Sequence, residues 1–530
     1  MKLKNAFFNF WPLLIIILLS VPTILPLFHS GFYPMHDDQQ VARLFELNKA
    51  IKDGQFPVRW VRDLGFGYGY PLFVFYPPFV YYLGELFHLI GFSLIDSIKI
   101  VIITGMFASG WAMYVLAKNL TSNMGGLLAA VLYMYLPYHA VDLYVRGALA
   151  EYWAFVWIPL ILWALLKKRI ILGGLFLGLL MVTHNLTFIA VMIFLGIFAI
   201  LFFRVKALII STVIALLWTF WFWIPALLYK QYTLTDSILT RELADYKLHF
   251  VYLRQLWDSA WGYGGSLYGL WDGLSFQIGK IHILLAIITV LLILKKKVDK
   301  TGEKKQILKL LMLTFFSIYL MTFHSQWLWN LITPLRYLQF PWRLLIITGL
   351  FVSLICAYCI NTIKLMRIKI PVFLGLIILV IFINNSYFKP DRYLTVDDNY
   401  YLNDYYLKWV VSKSSFEFVP KGVKTVISDV GTTQLAITED EVPSERVELI
   451  AGPADIKILE NKTHKLRIRV RGNGISVIRA NIFNFPGWSG TIDGQPLRLH
   501  DNNDLKLITF FAPPGEHEIV LKFNLWQLSI

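Results

Sequence analysis

The chain has 530 residues, of which 57% are hydrophobic, 16% aromatic and only 16% charged. Soluble domains carry about 25% charged residues, so the deficit excludes a plain string of soluble domains. The net charge of +15 sits in short Lys and Arg clusters between apolar runs. That is the positive-inside pattern of a membrane protein, and no nucleic-acid partner is expected from it.

In chain order, the run from Phe7 to Phe28 contains Pro12, Pro22 and Pro26 and lacks a small-residue cleavage site, so it reads as an uncleaved first span. Further candidate spans lie near residues 98–117, 124–141, 152–166, 170–184, 186–203, 207–228, 277–294, 308–326, 343–363 and 371–387. With Lys2 and Lys4 inside, alternation puts Lys118, Lys167 to Arg169, Arg204 with Lys206, the Lys295–Lys309 loop and Lys364 to Lys369 all inside. Eleven spans with an inner N-terminus and an outer C-terminus follow from that charge bias. Residues 71–92 are apolar but carry Pro71, Pro77, Pro78, Glu85 and His88, and they read as a helix lying on the outer surface. Cys356 and Cys359 fall inside an apolar run, where a structural role is expected, and no disulfide framework exists.

The expected architecture is an α-helical polytopic domain over residues 1–387, with a first outer loop at 29–97, followed by an extracytoplasmic β-domain over 388–530. Stretches such as HKLRIRVRG, GISVIRANIF and GEHEIVLKF alternate apolar with polar residues. Asp493-Gly494 and Pro513-Pro514-Gly515 punctuate them, and together these signals predict a β-sandwich.

Residues able to carry chemistry concentrate in the outer loops. His36-Asp37-Asp38 stands just past the first span, and an Asp at mid-bilayer would cost about 2.5–3.5 kcal/mol, so these acids belong in a wet place. One carboxylate serves as general base, or Asp37 and Asp38 coordinate a divalent metal, Mg or Mn; the plain alternative is an acidic N-cap for the helix starting near Gln39. The next stretch holds Arg59, Arg62 and Asp63 beside aromatics and glycines; Arg forks suit phosphate oxygens, and a packed juxtamembrane loop is the alternative. VDLYVRGALAE brings Asp142, Arg146 and Glu151 together, either as a second charged set or as interfacial caps. His184-Asn185 is a helix break or a substrate contact. Arg241, Arg254, Asp258 and Asp272 carry less weight. Arg336 and Arg343 flank LQFPW at an outer span end, where a held positive charge points to an anionic partner such as a lipid phosphate, or to snorkelling.

The run MHDDQQVARLFELNKAIKDGQFPVRWVRDLGFGYGYPLFVFYPP, with VDLYVRGALAE, LSFQIG and LQFPWR, resembles bacterial multi-pass membrane proteins labelled 6-pyruvoyl-tetrahydropterin-synthase-related. The zinc chemistry of the soluble synthase is not expected, because no His cluster has zinc-ligand spacing. The architecture looks like the GT-C superfamily of glycosyltransferases that use polyprenyl-phosphate sugars. The stretch FNFPGWSGTIDGQPL, with FAPPGEHEIVLKFN, is similar to the outer β-domain of large GT-C-like proteins. The resemblance implies a catalytic acid in the first outer loop, where Asp37 and Asp38 stand, with Asp142 and Glu151 in the second. It implies a lipid bilayer, a polyprenyl-phosphate sugar donor and a glycan or lipid acceptor as partners. His36, Arg59, Arg62, Asp142, Arg146, Glu151, Arg336 and Arg343 would be the substrate and phosphate contacts. A non-catalytic scaffold or carrier for envelope glycans or lipids is the competing expectation.

Overall fold

The computed structural model describes residues 2–239, 244–296, 302–427 and 433–525, so Arg241 lies outside the described residues. The chain divides into two compact units, one made of Met1–Asp38, Ile95–Thr219 and Ala244–Val396, the other of Gln39–Leu94, Phe220–Leu243 and Asp397–Ile530.

The first unit is helical. Each of the eleven apolar runs expected to span carries helix. Trp11–Phe28, Leu94–Lys118, Leu149–Leu166, Pro341–Thr362 and Met366–Tyr387 are long and apolar enough to cross a membrane. Among the described residues such helices number five, or up to eight if each of three bent helix pairs is one span. Eleven is reached only by adding the shorter apolar helices Ile170–Thr183, Asn185–Leu201 and Lys280–Leu294. Local chemistry explains two of the bends. Pro137 lacks an amide hydrogen, so Asn123–Met134 ends before it and the chain resumes 46° away. Thr322 has extended backbone, and the helix beyond it runs at 90° to Glu303–Met321. Pro341–Thr362 is 94% buried and forms the centre of the unit, whereas Met366–Tyr387 is 17% buried and exposes Ile378 and Phe382 as a lipid-facing helix would.

The second unit opens with the helix Gln40–Lys52, whose N-cap is Gln39 with no side-chain cap bond of its own. The apolar stretch at 71–92 is broken into Leu72–Phe75 and Phe79–Leu89. The longer piece, 11 residues, measures roughly 16 Å and cannot cross about 30 Å of hydrocarbon. The GFGYGY glycines make a tight turn: Gly65, Gly67 and Gly69 have φ of +64°, +78° and +73°, and a Cβ on Gly69 would meet the Val61 carbonyl at 2.7 Å.

Among the described residues ten strands follow: β1 (Thr425–Ile427), β2 (Thr433–Leu435), β3 (Val447–Ala451), β4 (Ala454–Lys462), β5 (Lys465–Gly472), β6 (Ser476–Phe483), β7 (Trp488–Ile492), β8 (Gln495–Leu497), β9 (Leu507–Ala512) and β10 (Gly515–Phe523). They form antiparallel sheets in the orders β4-β5-β10-β7-β8 and β3-β6-β9, with β1-β2 as a separate pair. Alternation buries Leu466, Ile468 and Val470 on β5 and Ile478, Ala480 and Ile482 on β6, the one-sided faces a sandwich needs. Asp493 and Gly494 both have positive φ, the backbone of a two-residue hairpin turn whose twist matches the β7 and β8 strands.

Candidate active site

The candidate site lies in the first unit, where three chain segments meet. Beyond Pro137 the helix loosens into a π-helical turn, Val141–Arg146, ended by Gly147 at φ +62°. The next helix begins at Leu149. Asp142 and Arg146, four apart, therefore share a face, and Glu151 enters from the first turn of the following helix.

Arg146 is ion-paired with Asp142 through Nη1 and with Glu151 through Nη2, the latter at 2.9 Å. Tyr138 bridges them: its hydroxyl donates to Glu151 Oε1 at 2.6 Å and accepts from Arg146 Nη1 at 3.2 Å. From the central helix, Arg343 Nε lies 3.2 Å from Glu151 Oε2, an ion pair whose direction does not make a hydrogen bond. Arg343 Nη1 donates to the Leu338 carbonyl at 3.0 Å and to Gln339. The Trp342 ring stands 4.8 Å from the Arg146 guanidinium carbon. Asp142 and Glu151 are 0% and 1% exposed. Two guanidinium groups and two carboxylates are thus desolvated together, which is tolerable only because each charge has a partner. Asp142 Oδ2 and Arg343 Nη2 are the polar ends the network leaves over: the first is buried without a hydrogen-bond partner, and the second makes no hydrogen bond among the described residues.

The first outer loop is stitched onto this network by its backbone. Phe32 and Leu394 exchange two hydrogen bonds at 3.0 and 2.8 Å. The amide of His36 donates to Val145 and that of Asp37 to Arg146, at 3.1 and 2.8 Å. The packing allows no side chain at Gly147, where a Cβ would overlap Met35. Asp37 is half-buried and acts electrostatically on both Arg146 and Arg343. Asp38, also half-buried, follows on the same segment, and exposed His36 contacts the Tyr263 carbonyl at 3.0 Å through Nε2. His184 caps Asn185–Leu201 by accepting from the Thr187 amide, within electrostatic reach of Glu151.

The structure therefore gathers Asp37, Asp142, Arg146, Glu151 and Arg343, and gives other candidates different partners. Arg336 donates to the Trp329 and Asn330 carbonyls and braces its own turn. Asp258 pairs with Lys280, and Asp272 closes a hairpin through the Leu267 amide. Arg59 and Arg62 belong to the second unit. Arg59 donates to the Phe73 and Trp221 carbonyls, and burial pushes its pKa down to about 10. Arg62 donates to the Asn461 carbonyl beside a buried acid pair. In that pair, burial and the neighbouring Asp63 push Glu46 well above the carboxyl range. Burial works the same way on Asp63, but Lys49 beside it outweighs burial and holds it low.

Tyr138, Trp342 and the Met35–Gly147 contact were not singled out in the sequence. The only hint of Tyr138 is its place four residues before Asp142. Among the described residues, no three His, Cys, Asp or Glu side chains come together as a metal cluster. The donor set around Asp37 thus makes no ready-built cation cage, and the carboxylates of Asp142 and Glu151 are taken up by arginines.

No protein-family model matches the chain, so the resemblance to the 6-pyruvoyl-tetrahydropterin-synthase-related group has no support from that side. An uncharacterized protein of Lactococcus lactis subsp. cremoris is 25% identical over 167 residues, 30% of this chain and 27% of that one. The cryo-EM structure of arabinofuranosyltransferase AftD from Mycobacteria is similar at a TM-score of 0.47 and 14% identity, over 73% of this chain and 27% of that one. The apo oligosaccharyltransferase of Archaeoglobus fulgidus is similar at 0.45 and 13%, over 72% and 56%. The chain thus spans about a quarter of the Lactococcus and AftD chains, and likeness at this level transfers no activity.

Proposed function

We propose that the protein is a GT-C-like membrane glycosyltransferase. It would move a sugar from a polyprenyl-phosphate donor to an envelope glycan, lipid or protein acceptor at the outer face. The observation that carries this reading is the docking of the Asp37 backbone on Arg146, which sets a half-buried carboxylate within electrostatic reach of the buried Arg146 and the partly exposed Arg343 guanidinium groups. A base next to cationic groups is the pairing that a transfer with an anionic leaving group requires.

Asp37, or Asp38 next to it, would accept the proton of the acceptor hydroxyl. The acceptor oxygen then bonds to the anomeric carbon as that carbon's bond to the donor phosphate breaks, and the polyprenyl phosphate leaves carrying the bonding electron pair. Arg343, through its uncommitted Nη2, and Arg146 would steady the phosphate as its charge grows. Glu151 and Tyr138 hold both guanidinium groups in place. In the second unit an open groove lined by Asp455, Arg471, Asn473 and Glu516 offers polar side chains suited to acceptor hydroxyls.

The test is transfer of labelled sugar from a panel of polyprenyl-phosphate sugars by purified protein in bilayers, with Arg343→Ala beside it. Turnover that this substitution lowers supports the reading. The charge balance of the Asp142, Arg146, Glu151 and Arg343 network favours a second reading, a scaffold in which the network only holds helices together. Folded protein with no transfer from any donor would select it.

A further inference from the structure

The chain between Val251 and Gly273 leaves large apolar side chains in the open: Leu253 is 66% exposed, Leu267 62%, Tyr268 74% and Trp271 92%. The segment is built, not loose. The Gly264 amide donates to the Gly273 carbonyl and the Gly273 amide to the Gly265 carbonyl, both at 2.8 Å, and Asp272 accepts from the Leu267 amide and from Gln255 in the short helix Leu253–Trp257. A hydrogen-bonded hairpin that leaves Tyr268 and Trp271 exposed presents an apolar surface.

Its anchors lie at the ends of apolar helices. Val251 donates to the carbonyl of Met321, where Glu303–Met321 stops. Ile278 donates to Leu256 just before Lys280–Leu294 begins, and Lys280 pairs with Asp258 at 2.8 Å. Lys280–Leu294 itself exposes Leu284, Ile287, Ile288 and Leu291. At Thr322 the chain turns 90°, and on the following segment Phe323, Trp327 and Leu331 are exposed at spacings of four. That spacing gives one apolar face to a helix running across the axis of its predecessor.

We propose that these three elements, the helix Leu253–Trp257, the hairpin tip Leu267–Trp271 and the crosswise segment Phe323–Leu331, form a foot seated in the headgroup–acyl boundary of a phospholipid bilayer. Trp and Tyr with Leu at helix ends is the composition of that boundary, and a right-angle turn is how a helix leaves the bilayer normal for its plane. The foot bears on the candidate site, because Ser266 accepts from the indole of Trp342 at 3.1 Å and Tyr263 contacts His36. The inference needs a bilayer around the helices and stands whether or not sugar is transferred.

The test uses Trp271→Cys and Trp327→Cys, each labelled with an environment-sensitive fluorophore in phospholipid nanodiscs. Cys356 and Cys359 are buried and escape labelling, and Asn473→Cys on the exposed turn after β5 is the water-facing control. Both positions should emit at shorter wavelength than the control and be quenched several-fold more by lipids bearing a nitroxide near the headgroup than by aqueous iodide. Quenching by iodide as at the control would put the foot in water and overturn the proposal. A blue shift untouched by either quencher would put a protein surface there and overturn it equally.

Discussion

The amide of Asp37 donates to the carbonyl of Arg146 at 2.8 Å, so a residue just past the first apolar run is fixed to the turn that carries the buried ion network. Through that bond and its neighbour from His36, the candidate base has a place set by backbone geometry and not by a mobile side chain.

Arg146 holds two carboxylates and the Tyr138 hydroxyl, so its removal strands Asp142 and Glu151 in an apolar interior. Arg146→Ala should cost about 3–5 kcal/mol and sharply lower the temperature at which the protein loses its fold in nanodiscs. Arg343→Ala should cost less, because that side chain keeps 11% of its surface exposed and its loss leaves Glu151 paired with Arg146. Equal unfolding temperatures for native protein and Arg146→Ala would contradict the network as described.

Gly147 adopts a left-handed backbone against Met35. Gly147→Ala should cost about 1–2 kcal/mol in backbone strain and also push the first loop off the turn. The expected result is folded protein with much reduced transfer, partly restored by shortening Met35 to Ala. Full transfer from Gly147→Ala alone would show that the seat of Asp37 does not matter.

Glu46 in the second unit is pushed up by burial and by Asp63, so the fold favours its protonated form. Its contribution to stability is full below about pH 4.5, the ordinary value, and is lost as pH rises through the higher folded value. Glu46→Gln keeps an oxygen to accept from the Arg62 and Asp63 amides. Its unfolding temperature should therefore match the native one near pH 4.5 and exceed it increasingly toward pH 8. A constant offset across that range would show that Glu46 is charged throughout.

Much of the fold was legible because it is written in local periodicity. Long apolar runs gave the helices, alternation in HKLRIRVRG and GISVIRANIF gave β5 and β6, and Asp493-Gly494 marked the hairpin between β7 and β8. The seat of the site was less legible. Asp142, Arg146 and Glu151 stand within ten residues and could be grouped from sequence, but Arg343 joins them from almost two hundred residues away. Nothing in VRWVRDLGFGYGY tells a phosphate loop from what the second unit contains, a turn packed on the end of β6 and the approach to β3: Phe483 donates its amide to Tyr68, and Arg446 donates to Gly67. The right-angle turn at Thr322 was hidden too, since the two helices it joins are together apolar enough to read as one span.

The central claim is that a first-loop carboxylate drives sugar transfer. Its most direct test compares purified native protein with Asp37→Asn and Asp38→Asn, using labelled polyprenyl-phosphate sugars, with and without a divalent-metal chelator. The account predicts that one substitution lowers turnover by about 10²–10⁴-fold while the protein stays folded. Full turnover in both variants would contradict it.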